Sequence, residues 1–181
     1  MKNKFTLAAV ATIAMALAGI ASAEDALPIP GFPAARDLPG APNSPDPNVE
    51  YKVVFDLVVE DENLDDPYPM LRPLAIYVNT LAKFGVPREN RKIAVVLHQG
   101  SGTIALKDEA FGRFHDGHDN PNKEMIKMLH DAGVSFHVCG QGVLARELDP
   151  ENDILPEIQV DYWALTTLVE LQRQGYVKIG G

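Results

Sequence analysis

Residues 51–59 constrain the fold more than any other stretch, because Val53, Val54, Phe55, Leu57, Val58 and Val59 make a near-continuous apolar run. A strand with apolar side chains pointing both ways has to be covered on both faces, and such strands belong to parallel sheets packed between helices. Residues 92–97 repeat the signal, and residues 135–139 give a third short β-rich run. Parallel neighbours need long crossovers, so the segments between these runs are expected to be helical.

They have that character. Leu71, Leu74, Ala75, Val78, Leu81 and Ala82 recur at spacings of three and four after Pro67 and Pro73, which predicts a helix ending at Gly85 and Pro87. A short helix is expected over 107–114. Asn120 as cap and Pro121 as first helical residue predict another, with Met125, Met128, Leu129 and Ala132 on one face and Gly133 as its stop. A short helix over 142–147 follows, and Pro156 makes 154–160 an edge or irregular segment. Asp161 is read as the cap of a last helix with Leu165, Leu168, Val169 and Gln172 on one face, closed by Gly175 and followed by a strand over 176–179. The alternation predicts an α/β domain of three layers, α/β/α, around a mostly parallel sheet of about five strands.

Two segments of different character precede this domain. Lys2 and Lys4, an apolar run over 5–18 and the small-x-small series Ala21-Ser22-Ala23 read in that order as a cleavable secretory signal over residues 1–23. A membrane anchor needs about 20 continuous apolar residues, so export to a periplasm is expected, with no stable membrane insertion after cleavage. Residues 24–48 hold Pro28, Pro30, Pro33, Pro39, Pro42, Pro45 and Pro47, half of the 14 prolines, and no periodic apolar face. They fit neither helix nor central strand and are read as a tether or as an arm laid on a neighbouring subunit. The folded domain then occupies 49–181. Removing 23 of the 181 residues leaves 158 and takes away two lysines and no acid, so the formal charge moves from −9 to −11. That product repels nucleic acid and anionic lipid, and no nucleic-acid partner is expected. With 46% hydrophobic residues, a chain of this length has enough apolar surface for one core.

Ligands of open parallel sheets bind beyond the carboxyl ends of the strands. Two predicted strand ends carry unusual residues there: His98, Gln99, Gly100, Ser101 and Gly102 after the second strand, and Cys139, Gly140, Gln141 and Gly142 after the third. Cys139 is the only cysteine, so an intrachain bridge is excluded. At a strand-to-helix junction its sulfur meets unpaired N–H groups, a setting suited to a sulfur anion, and the glycines let backbone amides come close. A small buried hydrophobe is the other reading, and the residues alone leave both open. His98 can approach the sulfur through space to steady an anion or move a proton; equally, it can bond a loop. His137 is expected to turn its ring away from the face that Cys139 uses. His115, Asp116, His118 and Asp119 form a loose ligand-like set without zinc or EF-hand spacing, so neither a metal nor another cofactor is expected. A non-catalytic protein that binds a small ligand or a metal through His98, His115, His118 and Cys139 is the competing class, and an oligomeric interaction module in which Cys139 only packs is the third. The Gly100-Ser101-Gly102 turn lacks the lysine of a phosphate loop and no serine sits in a nucleophile elbow, which disfavours nucleotide and serine hydrolysis.

Taken in order, several pieces resemble the small DsrE/DsrF-like proteins of sulfur relay. They are Ile93-Ala94-Val95-Val96-Leu97-His98, Leu106-Lys107-Asp108-Glu109-Ala110-Phe111, Asn120-Pro121-Asn122, and Ala132-Gly133-Val134 leading to Val138-Cys139-Gly140-Gln141. The series continues with Ala164-Leu165-Thr166-Thr167-Leu168 and Leu171-Gln172-Arg173-Gln174-Gly175-Tyr176, so the resemblance spans residues 51–179. It implies a compact α/β/α subunit that assembles as a homo-oligomer, a trimer or hexamer. In relay members a cysteine at the end of a central strand, before a small-residue turn and a helix containing arginine, accepts a sulfane sulfur as a persulfide and hands it on. Cys139, with Arg146 downstream, occupies the matching position. The resemblance therefore implies a sulfur carrier or sulfurtransferase with Cys139 and His98 as its reacting residues. Gln99, Gly100, Ser101, Asn120, Gly140, Gln141 and Gly142 are expected to shape the pocket, and a sulfur-donor or acceptor protein to be the partner.

Overall fold

The computed structural model describes residues 27–59 and 63–180, so the predicted leader lies outside the described residues. Strands β1 (Tyr51–Leu57), β2 (Arg91–Leu97), β3 (Ser135–Cys139), β4 (Ile158–Asp161) and β5 (Val177–Gly180) form one sheet, all parallel, in the order β4-β3-β2-β1-β5. The crossovers carry helices α1 (Leu71–Lys83), α2 (Asp108–Gly112), α3 (Lys123–Asp131), α4 (Gly140–Ala145) and α5 (Ala164–Arg173). The α/β class and the parallel sheet are as the sequence predicts.

Alternation along the strands decides what each face buries. Val53, Phe55 and Leu57 of β1, Ile93, Val95 and Leu97 of β2, and Phe136 and Val138 of β3 point into the main core. Leu71, Leu74, Val78 and Leu81 of α1, Phe111 of α2, and Met125, Ile126 and Leu129 of α3 complete it. The opposite face buries Val54, Ala94, Val96 and Cys139 beneath Ala164 and Leu168 of α5. The three layers are therefore unequal, because among the described residues only α5 contributes helical side chains to the second core.

Two local departures reflect side chains that serve the backbone. The glycine-rich stretch after β2 is not an open turn but a 3-10 segment over Gln99–Ala105. Helix α3 starts at Lys123 rather than at Pro121. Asn120 does not cap it: its Nδ2 donates to the carbonyls of Ile104 and Leu106 at 2.9 and 2.5 Å, and its Oδ1 accepts from the Asn122 N–H at 2.9 Å.

The proline-rich segment departs furthest from expectation, since it is packed along α1 of its own chain. Ile29 has no exposed surface and belongs to the main core. Asn79 of α1, also fully buried, accepts the Ile29 N–H at 3.0 Å and donates to the carbonyls of Ile29 and Phe32 at 2.9 and 2.8 Å. Further along, the Ala35 N–H donates to Thr80 Oγ1 at 2.8 Å, and Lys83 pairs with Asp37 at 2.6 Å. Prolines remove N–H groups from the segment, and Asn79 accepts the N–H of its one buried residue, Ile29. No helix among the described residues is long and apolar enough to cross a membrane.

Candidate functional site

Leu97 of β2 pairs with Val138 of β3, so the next residues, His98 and Cys139, leave the sheet side by side at its carboxyl edge. A narrow cleft separates the two loops. His98, Gln99 and Gly102 line it on one side and Cys139, Gly142, Val143 and Arg146 on the other, with Leu97, Val138 and Leu148 completing the walls. Its volume is about 10 Å³, near the least that holds one water molecule.

Cys139 ends β3 directly before α4. It is 6% exposed and packs with Val54, Ala94, Val96 and Leu168, and among the described residues a single polar contact reaches its sulfur. The N–H of Ala164, the first residue of α5, points at Sγ from 3.4 Å. Amides at a helix start have no acceptor within the helix, so this one is free to serve the sulfur, and it binds an anionic acceptor more strongly than a neutral one.

Asp161, which lies opposite Cys139 in the β3–β4 register, holds the start of α5 in place. Thr167 Oγ1 donates to Asp161 Oδ2 at 2.7 Å, Gln159 donates to Oδ1 at 2.6 Å, and His137 Nδ1 stands 3.0 Å from Oδ2. His137 is thus on the face that Cys139 uses, contrary to expectation. Alternation has a period of two, and residues 137 and 139 therefore point the same way. Its imidazole is committed to Asp161 and, at 3.3 Å, to Ser135 Oγ.

His98 is held from β1 and β5. Its Nε2 lies 2.8 Å from Asp56 Oδ1, while Lys178 Nζ donates to Asp56 Oδ2 at 2.9 Å. Burial pushes the Asp56 carboxyl up, but hydrogen bonds from Lys178 and His98, together with their charges, outweigh it and hold the group below the usual carboxylate value. An ionised carboxylate only accepts, so Nε2 carries the proton of this contact and the ring is fixed. Asp56 is 5% exposed. Its one signal in the sequence is a charge inside a run that is buried on both faces.

Arg146 bridges the mouth of the cleft. Its Nη2 donates to the Gln99 carbonyl at 2.7 Å and its Nη1 to the Gly142 carbonyl at 3.1 Å. Gln99 accepts that bond with φ at +54°, a conformation that costs a non-glycine residue about 1 kcal/mol or more. A Cβ on Gly142 would lie 3.4 Å from Arg146 Nη1, and one on Gly140 would lie 2.6 Å from the Asp161 carbonyl oxygen. Glycine at 140 therefore lets β4 close against β3.

Cys139, His98, Gln99 and Gly142 are thus brought together, with Arg146. The other predicted pocket residues stand elsewhere. Ser101 is fully buried; its Oγ accepts the His98 N–H at 3.1 Å and donates to the Leu57 carbonyl at 2.5 Å, tying the ends of β1 and β2. The Gly100 N–H donates to the Val58 carbonyl at 3.1 Å, and the Gln141 side chain to the Tyr162 carbonyl, also at 3.1 Å. Gly140 packs on β4, and Asn120 organises the turn before α3. His115 stacks on Phe111 with ring centroids 4.1 Å apart. Among the described residues no three His, Cys, Asp or Glu side chains form a metal-ligating group, so His98, His115, His118 and Cys139 do not make a joint ligand set.

Residues 69–179 match the model of the DsrE/DsrF-like family. A solved structure of a protein of unknown function from Methanobacterium thermoautotrophicum is similar with a TM-score of 0.51 and 22% identity, over 71% of this chain and 97% of that one. At that identity the likeness is one of fold. No curated protein matches the chain significantly.

Proposed function

The chain belongs to the DsrE/DsrF-like family, and from that premise we propose that it is an exported, homo-oligomeric sulfur carrier that holds one sulfane sulfur as a persulfide on Cys139. The observation that carries this reading is the cleft that Cys139 lines: about 10 Å³, walled also by His98, Gln99, Gly142 and Arg146. A persulfide adds one atom to the cysteine, whereas pockets for organic ligands run to roughly 300–1,000 Å³. The outer sulfur of a persulfide is anionic, and the Ala164 N–H and the Arg146 guanidinium supply a donor at Sγ and a cation at the mouth.

Loading is an exchange at sulfur. The Cys139 thiolate attacks the outer sulfur of a donor persulfide; a new S–S bond forms, the donor's S–S bond breaks, and the donor leaves as a thiolate with the electron pair. The proton given up by Cys139 ends on that leaving thiolate. Unloading repeats the step, with an acceptor thiolate attacking the outer sulfur and Cys139 leaving. Neither step needs an external oxidant or reductant. His98, oriented by Asp56, lines the same cleft as Cys139, which supports a role in meeting the entering sulfur.

Export rests on the signal-like residues 1–23. Self-association is supported by an exposed apolar strip, Tyr162, Trp163, Leu165 and Val169, next to the residue that donates to Sγ; Tyr162 is 80% exposed. The test is cyanolysis after treatment with polysulfide and removal of the excess. The protein should release one thiocyanate per chain and Cys139→Ser none; equal release from the two proteins sinks the reading.

A further inference from the structure

At the other end of the sheet, where β2 and β3 begin, lies an open groove of about 470 Å³. Arg88 and Glu89, from the 3-10 turn Arg88–Asn90, and Arg91 and Lys92, from the start of β2, border it together with the hydroxyl-bearing Ser135 and Tyr176. Three cations against one carboxylate give a local charge of +2 on a chain whose formal charge is −9. Among the described residues, no ion pair or hydrogen bond engages the charged heads of Arg88, Arg91 and Lys92.

Arg91 stands out. Its Nε and Nη1 are enclosed and have no hydrogen-bond partner among the described residues, so the guanidinium has lost water from two of its three nitrogens without gaining an acceptor. Nη2 is the nitrogen left in reach of solvent. Burial first, and then the charge of Arg88, pull the group below the usual arginine value, while Glu89 pushes it back. Arginine nevertheless stays charged in proteins, so Arg91 is a half-buried cation with no hydrogen-bonded acceptor among the described residues.

We propose that this groove is a second binding site, separate from the cysteine, which takes a small oxyanion of the sulfate or phosphate class on Arg91, Arg88 and Lys92. Nη2, the guanidinium nitrogen in reach of solvent, offers charged N–H donors to such an anion, and the flanking cations add attraction without demanding one geometry. Ser135 and Tyr176 border the same groove without adding charge to it. The site does not depend on the sulfur-carrier reading, since it lies at the amino ends of the strands and Cys139 at the carboxyl ends.

The test is calorimetric titration of the whole protein with inorganic sulfate and with inorganic phosphate, at constant ionic strength set by chloride. Saturable one-site binding is expected. Arg91→Met should weaken it about tenfold or more, the loss of one charge-assisted contact, and Arg173→Gln, a surface control on α5, should leave it unchanged. Because the two unpartnered N–H groups leave with the side chain, Arg91→Met in buffer free of oxyanions should melt no lower than the parent protein. Should that variant not fold, the exposed pair Arg88→Gln/Lys92→Gln serves in its place and should weaken binding. No heat with either anion, or full binding retained in these variants, overturns the proposal.

Discussion

Asp56→Asn removes one charge and hardly changes shape, which makes it a sharp probe of how His98 is held. Two donors converge on the carboxylate, His98 at 2.8 Å and Lys178 at 2.9 Å. The Lys178 side chain is 38% exposed and recovers water when the carboxylate goes, so its share is discounted to a few tenths of a kcal/mol, at most about 1. The His98 side chain is 11% exposed and recovers little, and losing a charged acceptor there costs about 1–2 kcal/mol. The sum, about 2 kcal/mol, lowers Tm by roughly 4–8 °C for a domain of this size. The pH dependence has a definite sign. The folded carboxyl lies below its ordinary value, so the stability it contributes is present above the unfolded value and is lost as the pH falls through the folded one. Thermal unfolding followed by circular dichroism should show a gap between parent and variant at neutral pH that closes in acid. Identical melting at neutral pH, or a gap that acid leaves untouched, refutes the reasoning.

Two further substitutions address other parts of the account. Gly140→Ala puts a Cβ 2.6 Å from the Asp161 carbonyl oxygen and forces β3 and β4 apart; urea unfolding should register a loss of about 1–3 kcal/mol, and an unchanged midpoint contradicts the close approach. Asn79→Ala strips the partners from the Ile29 N–H and from the Ile29 and Phe32 carbonyls. It should cost about 1–3 kcal/mol and speed tryptic cleavage after Arg36, whereas cleavage at the parent rate would mean that the arm is held without it.

The sheet was readable because strands buried on both faces leave a dense apolar mark, and the meeting of His98 with Cys139 followed from their places at adjacent strand ends, one just past β2 and the other closing β3. Features that depend on distant partners were not readable. Asp56 interrupts an apolar run and is tolerable there only because His98 and Lys178, 42 and 122 residues away, come to it. The docking of the proline-rich arm turns on Ile29 and on Asn79, 50 residues further on, and no local pattern links them. Ser101 and Asn120 carry polar groups suited to a pocket, yet residues of their type in tight turns bond the nearby backbone instead, as both do here. The misplacement of His137 was one of parity rather than chemistry.

The sulfur-carrier account is tested most directly by the intact mass of the protein after brief exposure to polysulfide and desalting. It predicts a gain of one sulfur atom, about 32 Da, that disappears with a thiol reductant and never forms in Cys139→Ser. An unmodified parent mass, or the same gain in the serine variant, contradicts it.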